Sequence, residues 1–450
     1  MRRLACLLLI GLLLPGCQPT PDRDPVVNRG DGTLTQAIER QRDSVGAYEA
    51  PSRWEETVPM KTVTIQIDAD VAVPDMDTFP VQTLRRHTFT QSDALSLLNA
   101  CFDGPFELRK NRYSTAELIE EIQFVLRGSF ADIDDVTGEI TWTPFEDEAE
   151  QLAVLQRQLE QCPSVDEFIP LTADALCADG AQNVIRTADG TLLYLSLSDY
   201  ALTISVTRNQ YLQDEATVWG GGFAGEAGHA LEHIVVTEAE AKAAGETFLE
   251  RASLAGDFGI GAIEKARLAK SVPTDAVFSV LSEGYTIRFA RTGGGYVPFP
   301  YSFYREDSFG HLGQTDDEAA YVPRWEPDAF ELYVSERGVQ AVAWYNPNEV
   351  VATSNENVSL LPFEDIQTQI KDNLYYSYAW TQDGGHGVNT VTVKRVALSC
   401  AITRIPNNQE EALLSPTWVV VLNNNRAESV HFADAILLIN AIDGSYQRLY

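Results

Sequence analysis

The alternation of apolar and polar positions is the clearest signal in this chain. Val63, Ile65, Ile67, Ala69, Val71 and Val73 recur at every second position, the period of a half-buried strand, and a second strand is predicted near Val81 to Phe89. The period then lengthens. Thr90 with Asp93 caps a helix that carries Leu95, Leu98 and Phe102 on one face and ends at Asp103-Gly104-Pro105. Ser114 and Glu117 form a capping box, because hydroxyl and carboxylate together satisfy backbone donors of the first turn. The helix behind it is predicted to bury Leu118, Ile122, Val125 and Leu126. Thr143, Pro144 and Glu146 repeat that grammar with proline at the first helical position, and Leu152, Leu155 and Leu159 supply the apolar stripe.

From about Asn183 the period returns to two. Val184 to Thr187, the turn Asp189-Gly190 and Leu192 to Leu197 predict a hairpin, and Tyr200 to Val206 adds a strand. Thr237 and Glu240 cap a helix with Ala241, Ala244, Phe248 and Leu249 on its stripe, and three strands are predicted after it: Phe258 to Leu268, Ala276 to Leu281 and Tyr285 to Ala290. After an irregular aromatic loop from Thr292 to Pro327 the order restarts. Phe330 to Val334, the turn Arg337-Gly338 and Val339 to Trp344 form a hairpin, and Pro362 opens a helix bearing Phe363, Ile366, Ile370, Leu374 and Tyr378. Strands follow at Val391 to Ala401, Thr417 to Leu422 and Ala435 to Ile442.

Hairpin, helix and three strands thus occur twice. The expectation is an α+β fold of antiparallel sheets, each covered by a helix, with an internal duplication of the helix-on-sheet unit. The division that follows is an α+β segment over 58–180, a first module with the aromatic loop over 181–327, and a second module over 328–450.

Ile436, Ile439 and Ile442 followed by Asp443-Gly444-Ser445 resemble the last strand and turn of PepSY-type domains. The helix-then-sheet order also fits that group and, more loosely, membrane-tethered proteins that restrain sensor kinases or cell-wall enzymes. The whole chain is similar to uncharacterised lipoproteins of Gram-positive gut bacteria. The resemblance implies an extracytoplasmic setting and carries no catalytic residues over.

The amino terminus supports that setting. Arg2 and Arg3 precede an apolar run from Leu4 to Leu14, the charged and hydrophobic regions of a secretory signal, and the run is short for a membrane span. Leu14-Pro15-Gly16-Cys17 resembles the lipobox of bacterial lipoproteins, which implies cleavage of residues 1–16 and acylation of Cys17. Two acyl chains suffice for stable anchoring. Residues 17–57, polar and Pro-bearing, read as a flexible tether.

Composition narrows the partners. With 44% hydrophobic and 22% charged residues the chain is globular, and 33 Lys and Arg stand against 65 Asp and Glu, a net charge of −32. Nucleic acid is excluded as a partner, and anionic headgroups are disfavoured, because both need positive charge. The expected membrane contact is the lipid on Cys17. Cys101, Cys162, Cys177 and Cys400 allow three disulfide pairings or four thiols.

Candidate chemistry is sparse. His229-Ala230-Leu231-Glu232-His233 matches H-x-x-E-H, in which two histidines one helical turn apart bind zinc and the glutamate activates water. Five glycines between Gly220 and Gly228 and the β-branched run Ile234 to Val236 deny it a solid helix, so His229, Glu232 and His233 are set aside as ligands. Gly220, Gly222 and Gly225 lack the flanking strand and helix of a dinucleotide site, and no cofactor is expected. The aromatic loop, with Tyr296, Phe299, Tyr301, Tyr304, Tyr321 and Trp325, either grips a sugar or peptide or caps the sheet. The resulting expectation is a membrane-anchored binding or regulatory module for an envelope protein or peptide, engaged through the aromatic loop or a sheet edge. A zinc-dependent peptidase and a solute-binding lipoprotein are the alternatives.

Overall fold

The computed structural model describes residues 37–39, 46–60, 63–133, 140–208, 210–214, 231, 233–271, 278–299, 327–379, 390–405, 408, 410–424 and 435–449. Among the described residues the fold is mixed α+β, with five α-helices and most of the strands in two large sheets. In chain order come β1 (Arg53–Pro59), β2 (Thr64–Ala72), β3 (Val81–Arg86), α1 (Gln91–Cys101), β4 (Glu107–Arg109) and α2 (Thr115–Arg127). Next are β5 (Ser129–Ile133), β6 (Ile140–Thr143), α3 (Glu148–Gln161), β7 (Phe168–Pro170), β8 (Gln182–Arg186), β9 (Leu192–Ser198), β10 (Ala201–Ser205) and β11 (Gln210–Asp214). Then follow α4 (Glu238–Arg251), β12 (Phe258–Ser271), β13 (Phe278–Arg291), β14 (Ala329–Ser335), β15 (Gly338–Tyr345) and β16 (Asn348–Asn355). The chain closes with α5 (Phe363–Ala379), β17 (Thr390–Arg404), β18 (Glu411–Asn424), β19 (Ala435–Asn440) and β20 (Tyr446–Leu449).

The ten-stranded sheet runs β11-β12-β13-β14-β15-β10-β9-β8-β4-β7. Its core joins Leu193, Leu195 and Leu197 of β9 to Phe248 of α4, Leu98 of α1 and an aromatic cluster of Phe258, Phe289, Phe330 and Trp344. The eight-stranded sheet runs β1-β2-β17-β18-β19-β20, and β3 pairs with both β18 and β16. Its core packs Ile65, Ile67, Val391, Val393, Trp418 and Ile439 against Ile366, Ile370 and Leu374 of α5. The expected alternation is visible in β2, where Ile65, Ile67, Ala69 and Val71 all point inward.

Several expectations are corrected. The sheets are not purely antiparallel, because β2 runs parallel to β17, with Ile65 opposite Val391. The tether predicted to reach residue 57 stops earlier: Arg53–Pro59 is a strand, anchored by Trp54, which is buried with its ring edge-on to Phe363. The predicted break between Leu281 and Tyr285 is absent. β13 runs straight through Gly284, where a Cβ would sit 2.0 Å from the Val334 carbonyl oxygen, so glycine marks close strand approach and not a turn. The hairpin β14–β15, assigned by sequence to the second module, lies between β13 and β10 in the ten-stranded sheet. Likewise β1 to β3 join the sheet built by the last third of the chain, so neither boundary, at 180 nor at 327, separates the two sheets.

A buried polar knot joins the sheets. The Asp328 carboxylate accepts from Arg291 Nε at 2.7 Å, Arg291 Nη2 at 3.1 Å, Trp344 Nε1 at 3.0 Å, and the backbone and side-chain nitrogens of Asn348 at 3.1 and 3.2 Å. Arg291 Nη2 also donates to the Asn348 carbonyl and lies over the Phe258 ring. Burial opposes the charge on Arg291, and Asp328 outweighs it, so the guanidinium pKa is raised. Asn348 opens β16 in one sheet while Arg291 and Trp344 belong to the other, so the knot fixes their junction.

Candidate functional site

The structure separates the residues that the sequence grouped in the aromatic loop. Tyr296 is 1% exposed, its hydroxyl donates to the Pro80 carbonyl at 2.9 Å, and its ring lies against Phe79. Phe299 is buried among Ala397, Ala401 and Val419. These two rings fill core and offer no stacking face to a ligand. Tyr301, Tyr304, Tyr321 and Trp325 lie outside the described residues, as do Cys17, His229 and Glu232. His233 is exposed, and its backbone N–H donates to Glu283 Oε2 at 2.6 Å. Among the described residues no cluster of three His, Cys, Asp or Glu side chains is placed to hold a metal ion.

The four cysteines are thiols. Cys177 is exposed, whereas burial pushes the Cys400 thiol up to about 12, with Arg291 only partly offsetting it. A thiol held protonated this firmly is a packing group.

A different surface stands out. α2, the hairpin β5–β6 and α3 form an arm outside both large sheets. Its helix α2 starts at the expected capping box, with Glu117 N–H donating to Ser114 Oγ at 3.2 Å and Ser114 N–H to Glu117 Oε2 at 2.7 Å. α3 begins at Glu148, later than Pro144 suggested, and Asp147 at its N-cap makes no side-chain capping bond. Leu118 and Val125 of α2 are buried, but neither belongs to the main cores, and α3 buries no residue fully.

Ion pairs dock the arm. Glu117 and Glu121 sit one turn apart on α2 and face two arginines of the body. Arg109 of β4, 2% exposed, donates to Glu117 Oε2 at 2.6 Å and reaches Asp166 at 3.4 Å, while the Asn111 and Arg112 carbonyls take its remaining donors at 3.0 Å each. Arg208, just past β10, bonds Glu121. Within the arm, Arg127 lies 4.2 Å above the Trp142 ring and 5.0 Å from Phe124, which packs on Phe145.

The docked face leaves another face of α2 uncovered. Ile119 is 43% and Leu126 59% exposed, with half-buried Ile122 between them. Their spacing of three and four residues sets all three on one helical line, about 10 Å long. Phe124 and Val154 add 40% exposed side chains elsewhere on the arm. Leu126 is a correction: the sequence assigned it to the buried stripe, but that stripe is filled by Leu118 and Val125. The arm is also acidic. Twelve Asp and Glu and only two Arg lie from Ser114 to Cys162, about a third of the net charge in about a tenth of the length. The density of acids on α3 was legible in the sequence; the exposure of Ile119 and Leu126 was not.

No protein-family model matches the chain, and no curated protein matches it. An uncharacterised protein from Eubacterium rectale, known from a crystal structure, is similar over 93% of this chain and 98% of its own, with 10% identity and a TM-score of 0.45.

Proposed function

We propose that this protein is a lipoprotein anchored through Cys17 on the extracytoplasmic face of the membrane, where its body serves as a non-enzymatic binding or regulatory module for an envelope protein or peptide. The observation that carries the reading is the arm, docked by ion pairs and turning Ile119, Ile122 and Leu126 outward. Contiguous exposed apolar side chains rimmed by charge are the usual mark of an interaction surface. A helix that only completed a fold would turn that stripe inward.

The finer architecture belongs to the same proposal. A helix followed by two long antiparallel strands occurs as α4-β12-β13 and again as α5-β17-β18, which supports a duplicated helix-on-sheet unit. The Asp443-Gly444 turn between β19 and β20, with Ser445 N–H donating to Asp443 Oδ1 at 2.9 Å, supports the PepSY-type resemblance.

Photo-crosslinking in the native cell tests the reading. A photoreactive residue replaces Leu126 in one strain and the exposed Lys242 of α4 in another, and captured proteins are identified by mass spectrometry. One envelope protein captured reproducibly from position 126 and not from 242 is the expected result. Identical or empty capture from the two positions overturns it.

A further inference from the structure

We infer that the occupant of the arm is a cationic amphipathic helix, an inference that rests on the arm being the binding surface. The stripe Ile119, Ile122, Leu126 has the i, i+3, i+7 spacing with which one helix meets another, so the apolar complement is a second helix presenting its own stripe.

The charge of the arm that carries the stripe selects the helix, with twelve acids against two arginines. Glu117 and Glu121 are already matched by Arg109 and Arg208 of the body. Glu146, Glu150 and Glu160 face solvent. The two arginines of the arm, Arg127 over Trp142 and Phe124 and Arg157 with its Nε on the Ala153 carbonyl at 3.0 Å, are outnumbered six to one by its acids. Like charges brought face to face are unfavourable, which disfavours a second copy of this arm as the occupant. An anionic membrane surface or a nucleic acid meets the same repulsion. Lys or Arg flanking an apolar stripe satisfies both features at once, with the apolar contact setting residence time and the charges speeding encounter.

The test uses the full chain in detergent and a fluorescein-labelled Leu/Lys amphipathic helix of about 18 residues, five turns, followed by anisotropy. Two counter-probes have Glu in place of Lys, or the same Leu and Lys scrambled so that no apolar face forms. Saturable binding of the Leu/Lys helix, weakened by salt and at least about tenfold tighter than either counter-probe, is the expected result. The double substitution Ile119→Ser/Leu126→Ser is expected to weaken it by about tenfold or more, since each loses an apolar side chain covered by the probe. Glu150→Gln/Glu160→Gln, which leaves the stripe intact, is expected to lower affinity and flatten the salt dependence, whereas Glu238→Gln/Glu246→Gln on α4 of the body has no effect.

Unchanged binding to Ile119→Ser/Leu126→Ser overturns the inference, because the acidic surface alone would then explain attraction. Equal binding of the Glu counter-probe overturns it as well. Specific capture at position 126 in cells combined with no binding of the Leu/Lys helix removes the cationic partner and leaves the docking surface standing. Failure of both experiments removes the two proposals together.

Discussion

Helices α2 and α4 start alike and end up in different surroundings. Each opens with a Ser or Thr whose hydroxyl accepts from the N3 backbone while the N3 glutamate accepts from the cap, and they differ in length by one residue. α4 then lays Ala241, Gly245, Phe248 and Leu249 onto the ten-stranded sheet, and Phe248 stacks on Phe289. α2 touches that sheet through ion pairs to Arg109 of β4 and Arg208 just past β10, and keeps an apolar line exposed. Capping thus decides that a helix forms and where it begins, while what lies opposite decides which of its apolar residues are buried.

The largest expected effect falls on the body. Phe248→Ala removes a ring packed against Phe289 and Phe330, and should cost about 3–5 kcal/mol of global stability by urea denaturation. An equivalent loss confined to α4, with the sheet intact, would erase the distinction between body and arm.

Glu117→Ala is the matching insult to the arm. It strips the nearest anion from a buried Arg109, leaving Asp166 at 3.4 Å, and should cost about 2–3 kcal/mol locally. Amide exchange should rise from Ser114 to Cys162 while β9 and β13 keep their protection. Uniform loss of protection would show the arm to be part of the body's cooperative unit.

A smaller, pH-dependent effect is expected at α1. Burial of Asp93 acts to raise its pKa, and the bonds from Thr90 and His87 outweigh burial, so the carboxyl titrates below its ordinary 3.8. A carboxyl with a depressed folded-state pKa stabilises above its unfolded pKa, and that stabilisation is lost as pH falls through the folded value. Asp93→Asn should therefore cost about 1 kcal/mol at pH 7 and converge with the parent as the solution is acidified below about pH 4. Parallel melting curves across that range would contradict this. Smallest of all, Leu126→Ser should move the thermal midpoint little, a change within about 0.5 kcal/mol, because its side chain touches water already.

What could be read in advance follows the range of the forces involved. The three boxes at Thr90, Ser114 and Thr237 are local hydrogen-bond patterns, and each marks a helix start in the structure. The hairpin turns at Gly190 and Gly338 were legible because both glycines take positive φ, 89° and 83°. The short strands β4 and β7 and the strand β16 escaped notice, since three residues carry no period and β16 exposes most of its length. The Asp328 knot was invisible, because its members are drawn from β13, β15, β16 and the residue just before β14 and meet only when the sheets do. For the candidate site, the acidity of the arm could be counted, but the exposure of Leu126 depended on Leu118 and Val125 being the residues turned inward.

The parallel pairing of β2 with β17 bears on how the chain is born. Ile65 waits for Val391, and β3 waits for β16 and β18, so the first three strands emerge from the ribosome long before their neighbours exist. The ten-stranded sheet is complete by Tyr345 and can close around its own core first. Until β17 and β18 arrive, Ile65, Ile67 and Leu84 form an apolar margin open to holdase chaperones and proteases. A ribosome that stalls between Tyr345 and β17 thus releases a molecule with one finished sheet and one raw edge, a clear target for quality control.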